Sequence, residues 1–172
     1  SPLVIRGIAY FTTNRGTIVA ADLQGFHDNE NDGPVKDEKL TGKGDPDIIR
    51  KLNAVLTNEL TSVNQYFLHA RIYESMGYGK LGRKTYEESI GEMKHADAII
   101  KRVLLLEGLP NLQDLHKLMI GESVPEMLQA DLDAEVRGRA TVVEGIALAE
   151  KKQDFVSRDL LTKILDDTEE HI

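Results

Sequence analysis

The chain contains no cysteine and no tryptophan, and aromatic residues make up only 5% of its 172 positions. The missing thiols exclude disulfides, zinc ribbons and cysteine-held iron–sulfur clusters. No apolar run approaches the roughly 20 residues that span a bilayer. Nor does the sequence open with a basic segment and a long apolar core, so neither a membrane span nor a secretory signal is expected. A soluble cytoplasmic protein is the expectation. Acidic residues outnumber basic ones, 29 to 21, for a net charge of −8. That balance argues against nucleic acid as a partner and suits a protein that handles small cations. What is present, 41% hydrophobic residues and a mixed 29% of charged ones, suffices for one ordinary core with solvated helix faces.

The pattern changes near Thr41. Residues 1–42 read as a separate N-terminal extension: VIRGIAYF and TIVAADL are β-rich runs joined by TTNRG, a hairpin pattern. The polar stretch HDNENDGPVKDEKL then interrupts any core element at Gly33-Pro34. A lone hairpin is marginal in water, so the segment is expected to dock on something, or to be a fusion or a partly disordered extension, and no function is read from it. Residues 43–172 are helical in pattern. Asp45-Pro46 opens a first helix whose face is marked by Ile48, Leu52, Val55, Leu56, Val63, Tyr66, Phe67 and Ala70. It runs to about Glu74, where Gly77 and Gly79 end it. A second helix spans about Leu81 to Glu107 and is stopped by Gly108-Leu109-Pro110. NLQDLHKLMIGE is too long for a tight turn and predicts a crossover. Ser123-Val124-Pro125-Glu126 reads as a capping box opening a third helix to about Lys151. A fourth begins near Asp154 and reaches Ile172 with no terminator, as if it continued. The expected fold is all-α, a four-helix bundle with a long crossover between helices two and three.

Polar residues occupy positions where this bundle needs apolar ones. Glu92 and His95 precede Ile99, Val103 and Leu106 on one stripe of the second helix. Glu59 lies between Val55 and Val63 on the first helix, and Glu135 lies seven after Leu128 and three after Leu132 on the third. His171 follows Ile164 and Thr168 along the fourth. A carboxylate or imidazole facing a core is costly without compensation, and a metal ion compensates several at once. Glu-x-x-His chelates well because side chains three apart lean over the same turn. One inward Glu on each of two helices with Glu-x-x-His on the others is the layout of di-iron carboxylate bundles. Carboxylate and imidazole donors suit iron or manganese better than a closed zinc site.

On these residues the chain resembles the bacterioferritins across 43–172. The runs that carry the resemblance are KGDPDIIRKLN, NELTSVNQYFLHAR, ESIGEMKHAD, LEGLPNLQDL, IGESVPEMLQADL and DFVSRDLL. The resemblance implies a hollow 24-subunit shell in which Fe(II) is oxidised by O₂ and stored as ferric mineral. Iron ligands would be Glu59, Glu92, His95, Glu135 and His171, with Tyr66 nearby. It also implies haem b held across a two-fold dimer by Met93 of each subunit, and a ferredoxin as possible electron donor. The residues add support for a partner surface there: Met93 lies about 100° around the helix from Glu92, aligned with Ile90, Ile100 and Leu104 in a second apolar stripe.

The sequence departs from that family in several places. Thr168 stands three before His171 where the family carries a bridging glutamate, and Glu169 and Glu170 fall about 100° and 200° away. Glu87 and Gly91 stand where the family often has an inner-surface His and Asp. The remaining turns of the fourth helix and a short fifth helix have no counterpart, and the 1–42 extension is extra. The expectation is therefore a haem-type subunit of a mixed shell with an impaired oxidation site. Two rivals stand beside it: a self-sufficient ferroxidase using water or a shifted Glu169, and an inert scaffold subunit.

Overall fold

The computed structural model describes residues 3–5, 8–12, 18–22 and 44–171. The chain divides into two compact units, Ser1–Gly42 and Lys43–Ile172. The first holds three strands, β1 (Leu3–Ile5), β2 (Ile8–Thr12) and β3 (Ile18–Asp22), in an antiparallel meander of that order. Leu3 stands opposite Tyr10, and Tyr10 opposite Ala20. The expected single hairpin is thus one strand short: the run VIRGIAYF supplies two strands. A third strand adds the pairing that a two-stranded ribbon lacks. The polar stretch HDNENDGPVKDEKL lies outside the described residues, as does Ile172.

The second unit is four helices: α1 (Pro46–Ser75), α2 (Gly79–Leu105), α3 (Val124–Lys151) and α4 (Phe155–His171). Asp45 caps α1 by accepting from the Asp47 N–H at 2.8 Å. Gly77, at φ 89°, takes the left-handed turn that ends the helix, which any Cβ would strain. At the end of α2 that conformation falls on Glu107 (φ 58°), one residue before the expected glycine.

Neither bond of the expected capping box on α3 forms. Ser123 forms no side-chain cap bond, while the Glu126 carboxylate accepts the Glu122 N–H at 3.0 Å. Asp154 caps α4, accepting from Ser157 N at 3.0 Å and from Arg102 Nη2 at 2.6 Å. Burial raises the Asp154 pKa, but the Ser157 hydrogen bonds and Arg102 outweigh it and hold the carboxyl below its ordinary range. Asp154→Ala should therefore lower stability by about 1–2 kcal/mol at neutral pH. A depressed carboxyl stabilises above its unfolded pKa, so the gap between parent and variant should close as pH falls through the acid range. Denaturant midpoints measured across pH check this.

The long crossover links α2 to α3 by running along α1. Asn53 donates to the Leu109 carbonyl and accepts from Asn111 N. Thr61 Oγ1 accepts from His116 N, and Gln65 Oε1 from Met119 N. These α1 residues fall at multiples of four, so one polar stripe holds an extended segment whose amides would otherwise lack partners. The crossover returns the chain to the far end of α1, which makes α3 parallel to α2 and α4 parallel to α1.

The core has two halves. At one end Ile48, Leu52, Val55, Leu56, Ala96, Ile99, Val103, Val142, Ala149, Leu161 and Ile164 form a continuous apolar cluster. Beyond it polar side chains join the buried set, Glu59, Ser62, Gln65, His69, Glu92, Glu135 and Thr168 beside Tyr66, Ala70, Tyr73 and Met127. Several expected core residues lie elsewhere. Phe67 is exposed and tilts against Tyr86, with the Arg71 guanidinium over both rings. Leu128 and Leu132 are exposed on α3, and Val63 is only half-buried. Around Val63 the interior of α1 is lined instead by Ser62, Gln65, Tyr66 and His69, all buried. In the second α2 stripe Met93 and Leu104 are 47% and 51% exposed. Ile100, only partly buried, also packs against the apolar cluster.

Candidate metal centre

All four helices aim a polar side chain at one place where the apolar cluster ends. Glu59, Glu92 and His95 each bring a ligand atom within 4.8 Å of the others, and so do Glu92, Glu135 and His171. Glu92 belongs to both groups. It sits midway along α2, so its two oxygens face opposite ways: Oε2 lies 3.0 Å from His95 Nδ1, and Oε1 lies 3.5 Å from His171 Nδ1. Glu59 completes the first triad at 3.1 Å from His95 Nδ1, and Glu135 the second at 3.8 Å from His171 Nδ1. All five residues expected from the sequence meet here.

Both imidazoles are oriented alike. His95 turns Nε2 to Asp167 Oδ2 at 2.9 Å, and His171 turns Nε2 to Glu88 Oε2 at 2.6 Å, itself paired with Lys84 at 2.7 Å. Each ring thereby points Nδ1 into the cluster, the arrangement in which an outer carboxylate fixes the tautomer of a metal-binding histidine. Asp167 and Glu88 were not foreseen as site residues. Their signal was spacing, since Glu88 precedes Glu92, and Asp167 precedes His171, by one helical turn. Farther along, Asp131 accepts from His69 Nδ1 at 2.8 Å and from Gln65 Nε2 at 2.8 Å, locking α3 against α1. Tyr66, the expected neighbour, donates its hydroxyl to Glu135 Oε1 at 2.5 Å.

The electrostatics show what the cluster needs. Burial raises the Glu59 pKa well above the carboxylate range, and the adjacent Glu92 charge adds to the rise. Burial would also raise Glu92, but the nearby His171 and His95 rings overcome it and hold Glu92 ionised. Burial opposes charge on His95, yet Glu59, Glu92 and Asp167 raise it to about 11. Glu135 and Glu92 raise His171 to about 10, against the opposing effect of burial. Without a cation the carboxylates keep protons on both rings as counter-charge. A divalent metal does the same work with more charge and directed bonds. Two buried atoms support the fit, because Glu92 Oε1 and His171 Nδ1 have no hydrogen-bond partner. Both lie where a ligated ion would satisfy them.

Thr168 reaches the same region, only 5% exposed, but its hydroxyl is donated to the Ile164 carbonyl at 2.8 Å. That hydrogen bond turns the hydroxyl proton back along its own helix. Glu169 does not replace it: its carboxylate is held on the exposed surface by Arg139, at 2.5 and 2.9 Å.

Among the described residues no helix is long and apolar enough to cross a membrane. The family model for the ferritin-like domain matches residues 49–172. Over 130 residues the chain is 47% identical to a bacterioferritin of Mycobacterium leprae, covering 76% of this chain and 82% of that protein. It is 48% identical over 130 residues to a bacterial ferritin of Pseudomonas aeruginosa, covering 74% and 82%. A bacterioferritin of Streptomyces coelicolor is 45% identical, covering 76% and 78%. The bundle, its crossover and these matches agree, and the chain belongs to the bacterioferritin family.

Proposed function

We propose that the chain stores iron as a subunit of a hollow oligomeric shell, taking up Fe(II) at the two triads that share Glu92. The sharing is the observation that carries this reading. A carboxylate whose two oxygens face two separate carboxylate–imidazole pairs, one oxygen left without a hydrogen-bond partner, suits two cations and not one. Fe(II) is the substrate. Glu59 with His95 and Glu135 with His171 each bind one ion, Glu92 holds the pair together, and O₂ takes the electrons. Tyr66, donating to Glu135, keeps that carboxylate aimed inward. Burial and then the Glu135 charge raise the Tyr66 pKa, so this donor keeps its proton.

The site is incomplete in charge, and this favours a haem-type subunit in a mixed shell over a self-sufficient oxidase. Three carboxylates face two divalent ions, and Thr168 contributes none. Metal bound per chain in the mineral-free shell separates the readings. One or fewer is the expected result, two supports the self-sufficient oxidase, and none supports a scaffold.

Haem b is the second component of the proposal. Met93 stands open to solvent on α2 beside half-buried Ile90, so its thioether is free to take a ligand from outside the bundle. A two-fold contact along this face would bring two such thioethers together. Bound there, haem supplies a one-electron redox centre through which an external donor, a ferredoxin among the candidates, would reach the stored mineral. Met93→Ala should abolish the visible haem absorption while the particle still elutes as a shell. Unchanged haem content in the variant would rule this position out.

A further inference from the structure

The two triads draw on different helices. The first takes Glu59 from α1 and both Glu92 and His95 from α2, so α3 gives it no ligand. The second takes Glu135 from α3, and this is the one ligand that α3 supplies. Glu135 also makes the longest reach at the centre, 3.8 Å to His171 Nδ1, against 3.0 and 3.1 Å from Glu92 and Glu59 to His95 Nδ1. How α3 is seated against α1 therefore matters to the second position alone.

Asp131 sets that seating. It precedes Glu135 by one turn, and its carboxylate grips α1 on both sides of Tyr66. It accepts from Gln65 Nε2 at 2.8 Å and from His69 Nδ1 at 2.8 and 3.0 Å. The Gln65 amide is fixed in sense, because its Oε1 accepts from Met119 N of the crossover. Between the two arms, the Tyr66 hydroxyl meets Glu135 Oε1 at 2.5 Å and lies 3.4 Å from the Asp131 carbonyl oxygen. The arrangement carries a cost that plain packing would avoid. His69 is wholly buried and its Nε2 has no hydrogen-bond partner, where an apolar ring would leave nothing unsatisfied.

We propose that Asp131, gripping Gln65 and His69, is a positioning residue for the second metal position: it holds Tyr66 and the Glu135 turn of α3 in register and so aims Glu135 at His171. The inference rests on the two triads being the iron site. Asp131 acts here by hydrogen bonding and not by charge, so an asparagine can take its place. Asparagine Oδ1 would accept from Gln65, and its Nδ2 would donate to His69 Nδ1 once that ring moves its proton to Nε2. Alanine can do neither.

The test titrates Co(II) into the intact, assembled, mineral-free chain and follows its d–d absorption to saturation. Glu59→Gln isolates the second position and Glu135→Gln the first. Added to Glu59→Gln, Asp131→Ala should weaken Co(II) about tenfold, the low end for loss of a group that orients a ligand. Added to Glu135→Gln, it should leave the affinity within about twofold, since the first triad has no ligand on α3. Asp131→Asn should restore most of the loss at the second position. Should Asp131→Ala not assemble, His69→Phe, which removes one arm and keeps a ring in the same space, carries the same expectation. Equal losses at both positions would make Asp131 a general support of the fold and overturn the proposal. An asparagine as weak as alanine would show that its charge is felt and not its grip, and would overturn it too, as would no loss at either position. No Co(II) bound with Asp131 intact would instead overturn the iron-site reading, a result distinct from all of these.

Discussion

Glu92→Gln should empty both metal positions at once, whereas Glu59→Gln or Glu135→Gln should each empty one. The asymmetry follows from position. Glu92 faces His95 with one oxygen and His171 with the other, while Glu59 and Glu135 each serve one triad. Glutamine keeps the shape and the helix but loses the charge, and half of its polar end becomes a donor that repels a cation. Loss of a partner that merely orients a ligand costs about 10–100-fold in metal affinity, so loss of the shared ligand should exceed that at both positions. The metal-free chain should respond as well. Glu92 is 4% exposed and is the counter-charge common to both imidazoles, and breaking a buried pair costs about 3–5 kcal/mol. Glu59 limits the loss on one side, because the Glu92 charge is part of what keeps it protonated, and once free of that charge it can ionise against His95. His171 has only the more distant Glu135 and the outer Glu88 to turn to. Metal counts and melting temperatures for the three variants check the argument. A Glu92→Gln chain that still holds one tightly bound ion would show that the carboxylate is not shared.

Much of this centre was legible in the sequence, for a physical reason. A charged residue on an apolar stripe contradicts its surroundings, so Glu59, Glu92, His95, Glu135 and His171 stood out by position alone, and the helices bring all five together. The helix bounds and the crossover were legible because Gly, Pro and Asp punctuate them. What stayed hidden depends on tertiary context. Asp167 and Glu88 sit on half-solvated faces where an acid is ordinary, and only the distance to an imidazole reveals their role. Phe67, Leu128 and Leu132 fit the apolar spacing yet lie outside the core, because spacing marks a stripe but not how far round the helix its neighbours reach. His69 and Asp131 were hidden as well. His69 Nδ1 is paired with Asp131, and a paired polar couple on an apolar stripe is told from a metal ligand only by its contacts.

The sharpest consequence of the sequence lies at Thr168, and Thr168→Glu should convert a weak second metal position into a strong one. Residue 168 is one turn before His171 on the buried face of α4, so a glutamate there forms with His171 the chelate that Glu92 forms with His95. It brings the ligand charge to four against two Fe(II). At an effective dielectric near 20, a unit charge about 4 Å from an ion is worth about 4 kcal/mol. Part of that is lost in desolvating the new carboxylate, which leaves about 1–3 kcal/mol, or roughly a ten- to hundredfold gain in affinity. The same desolvation acts alone when no metal is present. The introduced carboxylate would then crowd Glu92 and Glu135 without a cation between them, and the hydroxyl bond to Ile164 is lost as well. The metal-free variant should therefore melt below the parent and the metal-loaded variant above it. That reversal of order is the signature of a ligand, since a merely disruptive substitution lowers both. Stopped-flow absorbance at two Fe(II) per chain should show a fast oxidation phase that is weak in the parent and full in Thr168→Glu. If the parent already shows the full fast phase and the glutamate adds nothing, three carboxylates suffice and the assignment of an impaired site to this chain is wrong.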